Sequence, residues 1–352
     1  MTDIKSLLRL MVEQGASDLF LTADTVPHIK IGGHTRPIEG PPLKPGESKT
    51  LAFSFMSAQQ RREFEKCKEC NLALAPDGIG RFRANVYYQR GEVSAVIRLI
   101  KSDIPTFEQL GLPAAAAELA LLRRGLVLMV GAAGSGKSTT MAAMVGYRAS
   151  RMDGHILTIE DPIEFMHSHN LAIVEQREVG LDTLTFGDAL RNAMREAPDV
   201  IAIGEIRDRV TAQHAIMYAE TGILCISTMH SNNSNQAIDR ILNFFEEDVR
   251  KQVLLDLSLN LKGVLSQRLL PGMDGKQVLA TEVLLQSAYA SDLIQKGQID
   301  VLKEAMKKGT EIGMQVFDDC LYKLYKERRI SQEVALRNAD SRTDLALRIK
   351  LS

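Results

Sequence analysis

The chain reads as an α/β protein, in which a mostly parallel sheet covered by helices follows a small α+β domain and precedes a helical appendage. Three observations predict this. From Leu126 onward, short apolar runs alternate with helical stretches, the pattern of parallel strands buried on both faces. The first hundred residues instead carry short segments that alternate polar and apolar positions. From Gln286 to Ser352 the sequence is helical and charged, with no further strand signal. The expected division is 1–100 for the small domain, 101–120 for a linker and entry helix, 121–285 for the core and 286–352 for the appendage.

At the amino terminus, Ile4, Leu7, Leu8 and Met11 recur at helical spacing, which predicts an amphipathic helix. Asp3 and Glu13 interrupt any signal-peptide core. Short β segments are expected at Asp18 to Thr22 and His28 to Ile31. A turn-rich stretch with Gly40, Pro41, Pro42, Pro45 and Gly46 follows, then a helix around Ser57 to Lys66. Gly80 to Gln89 and Glu92 to Ile100 alternate as strands do. Lys101 to Pro105 reads as the start of a linker, because Pro105 breaks strand hydrogen bonding.

The core opens on Leu126 to Val130, directly followed by Gly131, Ala132, Ala133, Gly134, Ser135, Gly136, Lys137 and Ser138, with Thr139 next. This is a phosphate-binding loop launched from a buried strand. Its glycines let the backbone turn with positive φ and bring N–H groups against phosphate oxygens. Lys137 reaches the β- and γ-phosphates and Ser138 holds Mg²⁺. A helix starting near Lys137 directs its positive dipole end at the same anion. The chemistry implied is ATP and ADP binding with Mg²⁺.

Ligands of open α/β sheets collect outside the carboxyl ends of strands, and polar residues follow three further apolar runs. His155 to Ile159 leads to Glu160, Asp161 and Glu164; Val200 to Ile203 leads to Gly204, Glu205 and Arg207; Ile223 to Thr228 leads to His230. Hydrolysis of a γ-phosphate needs a carboxylate to activate water and another in the metal shell. Glu164 is assigned the first role and Glu205 the second, through bound water. The alternative for each is a carboxylate stabilised by a helix N-terminus. His230 is a candidate γ-phosphate sensor or water holder; a strand-end hydrogen bond is the alternative. Arg81, Arg83, Arg98, Arg191 and Arg195 are candidates to meet charge on the γ-phosphoryl oxygens.

The chain has 352 residues, 45% hydrophobic content, 25% charged residues and a formal net charge of -1. Such a balance supports proper cores and gives no sign of a nucleic-acid-binding surface. The 5% aromatic content and absence of tryptophan also weigh against a base-stacking channel. No stretch approaches the ~20 apolar residues of a membrane span, so at most peripheral membrane association and a cytoplasmic location are expected. Four cysteines do not make a disulfide scaffold, and Cys67 with Cys70 supplies only half of a zinc site. His155, His167 and His169 are read as solvent-facing loop histidines.

The segments ASDLF at Ala16, GRFRANVYYQR at Gly80, GLVLMVGAAGSGKSTT at Gly125, ILTIEDPIEF at Ile156, QREVGLDT at Gln176, APDVIAIGEIRD at Ala197 and AETGILCISTMHSNN at Ala219 resemble the type IV pilus retraction ATPases. That is the PilT/PilU family of the secretion ATPase superfamily, and the resemblance runs almost end to end. SLNLKGVLSQRLL at Ser258, GMQVFDDCLYKLY at Gly313 and ALRNADSRTDLALRIKL at Ala335 are more similar to its PilU branch. The resemblance implies a PAS-like amino-terminal domain joined to a RecA-like core and assembled as a homo-hexamer. It also implies that Arg83, Arg98 and Arg195 are the arginines sent to the nucleotide. The implied partners are a PilT-type retraction ATPase and an inner-membrane platform protein at the pilus base, and the implied output is pilus retraction and twitching motility. Where PilT-like enzymes carry a segment of the form AIRNLIRE, this chain has YASDLIQK from Tyr289, with Ser291 in place of the arginine. A nucleotide-gated scaffold that works only with a PilT partner is therefore the alternative within the family. A RecA-like nucleic-acid motor is the alternative outside it.

Overall fold

The structure is a computed structural model that describes residues 3–100 and 103–351. Lys101 and Ser102, where the linker is expected to begin, lie outside the described residues. The chain divides into two compact units, Met1–Ser102 and Asp103–Ser352. Among the described residues, no helix is long and apolar enough to cross a membrane.

The first unit begins with α1 (Ile4–Glu13), whose Ile4, Leu7, Leu8 and Met11 form one buried stripe, with Asp3 capping through the Ser6 N–H. Then come β1 (Asp18–Leu21), β2 (His28–Ile31), β3 (His34–Pro37), α2 (Glu47–Ser54), α3 (Ala58–Cys67), β4 (Glu69–Leu74), β5 (Arg81–Gln89) and β6 (Glu92–Ile100). The six strands form one antiparallel sheet in the order β3-β2-β1-β6-β5-β4. Phe82, Ala84 and Val86 of β5 join Val93, Ala95 and Ile97 of β6 in the core. On the other face of β5 stand Arg81 and Arg83. Arg83 pairs in register with Arg98, and Arg98 with Asp18, across three adjacent strands.

The second unit starts with α4 (Phe107–Leu110) and α5 (Ala114–Ala120), then β7 (Gly125–Val130), α6 (Lys137–Ala149), β8 (Gly154–Glu160), β9 (Ala172–Glu178), α7 (Phe186–Ala193), β10 (Val200–Ile203), α8 (Arg209–Glu220), β11 (Leu224–Met229), α9 (Ser234–Asn243), α10 (Arg250–Asn260), β12 (Leu261–Pro271) and β13 (Gln277–Leu285). Its seven strands run in the order β13-β12-β7-β11-β10-β8-β9, all parallel except β13. Every residue of β7, β10 and β11 is buried, which explains their continuous apolar sequences. One face packs on α5 and α6 through Val127, Met129, Val200 and Ile226. The other packs on α7 to α10 through Leu128, Val130, Ile201 and Ile203.

After β13 come α11 (Ala288–Gln295), α12 (Leu302–Lys308), α13 (Phe317–Lys326), α14 (Gln332–Asn338) and α15 (Arg342–Lys350). Phe317, Leu321, Ala335 and Leu345 of these helices share a separate apolar cluster with Leu270, Val278 and Ala280 of β12 and β13. Arg268 of β12 adds polar contacts: it bonds the Asn338 carbonyl at 2.5 Å, pairs with Asp340 at 2.9 Å and stacks on Phe317.

Candidate active site

The strand order places the carboxyl ends of β7, β8, β10 and β11 side by side. A cleft of about 280 Å³ opens there. Its lining includes Lys137 and Ser138 of α6, Glu164 from the loop after β8, Glu205 and Arg207 after β10, and His230 after β11.

The loop from Gly131 to Gly136 folds as its sequence requires. Gly134 and Gly136 adopt positive φ of 75° and 89°, where an L side chain is strained. At Gly131 a Cβ would fall 2.3 Å from Ser135 Oγ and 2.6 Å from the Gln267 carbonyl, so only glycine fits between the loop and β12. The Lys137 ammonium is buried and bonds the Gly131 and Ala132 carbonyls at 3.0 and 2.8 Å. Burial pushes its pKa down, while Glu205 and Glu164 act the other way. Ala133 and Gly134 line the cleft, Gly131 and Ala132 border an adjoining cavity, and Gly136 and Thr139 are half-buried at the start of α6.

These features fit a magnesium nucleotide. Ser135 Oγ is buried without a hydrogen-bond partner among the described residues, and a buried cation beside a glycine loop is the complement of a phosphate. Ser138 and Glu205 face the same cleft as that cation and are oxygen donors of the kind Mg²⁺ takes.

Glu164 is exposed, but its neighbours Ile163 and Phe165 are buried. They hold the loop while the carboxylate projects outward. Glu205 Oε1 lies 3.7 Å from His230 Nε2. His230 also borders the second cavity, and its carbonyl accepts from Arg240 at 2.8 Å. Arg207 reaches Asp161 at 3.4 Å and lies over the Phe186 ring. Among the predicted arginines, Arg195 is exposed on a single 3₁₀ turn and does not line the cleft. Arg98 bonds the buried Asp18 at 2.8 Å, and Arg83 is half-buried beside it.

Glu160 ends β8, lines the cleft and is only 7% exposed. Its Oε1 accepts from Thr158 Oγ1 at 2.7 Å and Gln176 Nε2 at 3.2 Å, and burial pushes its pKa up to about 7. His155 is not a loop histidine: it is half-buried on β8, with Nδ1 3.0 Å from the Glu196 carbonyl and Nε2 3.0 Å from Glu175. His167 is also half-buried, and burial lowers its pKa to about 4. His169 is the exposed one of the three.

Several cleft residues had no role in the sequence reading: Met141, Phe186 and Thr228, with Gln176 just behind. The available signal was polar residues at alternate positions of two strands, Thr158 and Glu160 beside Gln176 and Glu178, which face one another in register.

A phosphate loop on α6, facing carboxylates from neighbouring parallel strands, defines a P-loop nucleotide hydrolase. The chain belongs to the Type II/IV secretion system protein family, whose model matches residues 1–345. The type IV pilus ATPase PilU of Pseudomonas aeruginosa is 52% identical over 350 residues, covering 99% of this chain and 92% of that one. The type IV pilus retraction ATPase PilT of the same organism is 40% identical over 337 residues, covering 96% of this chain and 98% of that one. The crystal structure of the pilus retraction motor PilT with bound ADP matches with a TM-score of 0.93 at 40% identity, over 99% of this chain and all of the other.

Proposed function

We propose that this chain is a Mg²⁺-dependent ATPase that drives or assists type IV pilus retraction, as an accessory motor of the PilU type. The observation that carries this reading is the meeting of Lys137, Glu164, Glu205 and His230 in one cleft at the strand ends. Two relatives named as type IV pilus ATPases, one of them a retraction ATPase, match nearly the whole chain, which supports a role in the pilus machine.

In this reading the loop N–H groups and Lys137 hold the phosphates, and Glu164 orients the attacking water and takes its proton. Ser138, and Glu205 through water, would hold Mg²⁺, which would neutralise phosphate charge. His230, beside Glu205, reports the γ-phosphate. Arg83, Arg98 and Arg195 supply the cations that meet its developing charge. The side-by-side placement of Arg83 and Arg98 supports this role, because two like charges in register are unfavourable unless an anion joins them. Asp18 already answers one of them. The working form is a homo-hexamer at the cytoplasmic face of the inner membrane, beside a PilT-type ATPase and a platform protein.

The test is the double change Glu164→Ala with Glu205→Ala in the purified protein. Turnover should fall by at least ~10²-fold while ADP still binds; undiminished Mg²⁺-dependent turnover overturns the assignment. The second reading, a nucleotide-gated scaffold, is favoured by Ser291 on α11 in place of the family's arginine. Turnover by the isolated protein, compared with a mixture containing PilT, separates the two.

A further inference from the structure

We propose that Gln176 is a positioning residue whose amide clasps the loop carrying Glu164 and fixes it, through Glu160, to the end of β8. This rests on the reading that Glu164 activates water. Because the Glu164 side chain is exposed, packing does not orient it; its orientation comes from how its backbone is held.

The backbone is held from inside. Gln176 Oε1 accepts from the His167 N–H at 2.8 Å, and Gln176 Nε2 donates to the Phe165 carbonyl at 2.9 Å and to Glu160 Oε1 at 3.2 Å. One bond to a donor and one to a carbonyl fix which end of the amide is oxygen. Glu160 in turn accepts from Thr158 Oγ1 at 2.7 Å. A parallel tie runs from the Ile163 N–H to Glu178 Oε2 at 3.2 Å. The loop is therefore anchored to β9 on both sides of Glu164, and Gln176 supplies it with both a donor and an acceptor.

Several charged and titratable groups surround the clasp. Glu160 belongs to β8; Glu175, Arg177, which pairs with Glu196, and Glu178 belong to β9; Asp161, paired with Arg207, Glu164, His167 and His169 belong to the loop, and burial holds His167 at a pKa of about 4, below the pH range of the test. Lys137 and Glu205 face it across the cleft. Replacing the amide by a carboxyl would set a second acid against Glu160, and the two would have to share a proton. That change removes the donor without removing the acceptor.

The test compares wild type, Gln176→Leu, Gln176→Glu and Glu164→Gln as full-length proteins. For Gln176→Leu, kcat should fall ~10- to 100-fold, as for other supporting-shell losses, with KM for ATP and ADP affinity within about threefold. For Gln176→Glu, turnover relative to wild type should recover as pH is lowered from 8 to 6, because a shared proton restores the missing donor. A kcat for Gln176→Leu within about threefold of wild type overturns the proposal. So does a joint fall of kcat and nucleotide affinity, or a Gln176→Glu deficit that ignores pH. Glu164→Gln separates the two levels: if it stays active, the reading of Glu164 fails; if it is dead while Gln176→Leu is active, the clasp alone fails.

Discussion

Replacing Glu160 by glutamine should stabilise the protein, and increasingly so as pH rises. Glu160 is 7% exposed, and its hydrogen bonds from Thr158 and Gln176 do not offset the loss of water. Its pKa is pushed from 4.5 up to about 7. A carboxyl that titrates higher in the folded chain than in the unfolded one binds its proton more tightly when folded. Its contribution is fully present below pH ~4.5 and is lost as pH rises through ~7. At 1.36 kcal/mol per unit, the loss over that window is about 3 kcal/mol. Glutamine mimics the protonated carboxyl at every pH, so the variant should gain about 2–3 kcal/mol on wild type between pH 5 and pH 8. Groups common to both proteins cancel in the comparison. The chain has no tryptophan, so urea unfolding is best followed by far-UV circular dichroism, without nucleotide. A difference between variant and wild type that stays constant with pH refutes the reasoning.

Gly131→Ala places a methyl against Ser135 Oγ and the Gln267 carbonyl; ADP affinity, measured by titration calorimetry, should fall at least tenfold, at an overpacking cost of ~1–3 kcal/mol. Tyr218→Phe removes a buried hydroxyl donor to the Leu190 carbonyl and should lower stability by about 1 kcal/mol in a denaturant titration, with turnover unchanged. Arg83→Ala should cut ATP turnover by ~10³-fold or more if it serves the γ-phosphate, while leaving ADP affinity alone. Arg98→Ala should in addition lower the melting temperature, because it strips the buried Asp18 of its cation.

The strands most legible in the sequence are those buried on both faces. Leu126 to Val130 and Val200 to Ile203 are unbroken apolar runs because helices cover both sides of them. β9 hides in AIVEQRE because it is the sheet edge, where Ile173 and Glu175 face solvent while Ala172 and Val174 face the core. α2 hides behind the preceding Gly-Pro turns, and β3 is exposed along its whole length. Glu164, Glu205 and His230 were readable because each lies within a few residues of a strand end. Gln176 was not readable as part of the site, since its meaning comes from a loop nine to eleven positions earlier that folds back over it. Arg98 was legible as a cation but not as the partner of Asp18, eighty residues away.

Two consecutive residues of β12 tie it to different parts of the second unit. Gln267 bonds Thr140 on the helix that begins at Lys137, and its carbonyl abuts Gly131. Arg268 grips Asn338 and Asp340 near the carboxyl terminus. Neighbours on a strand point to opposite faces. β12 thus joins the phosphate cradle on one side to the carboxyl-terminal helices on the other, so that a shift of this strand would be felt at both.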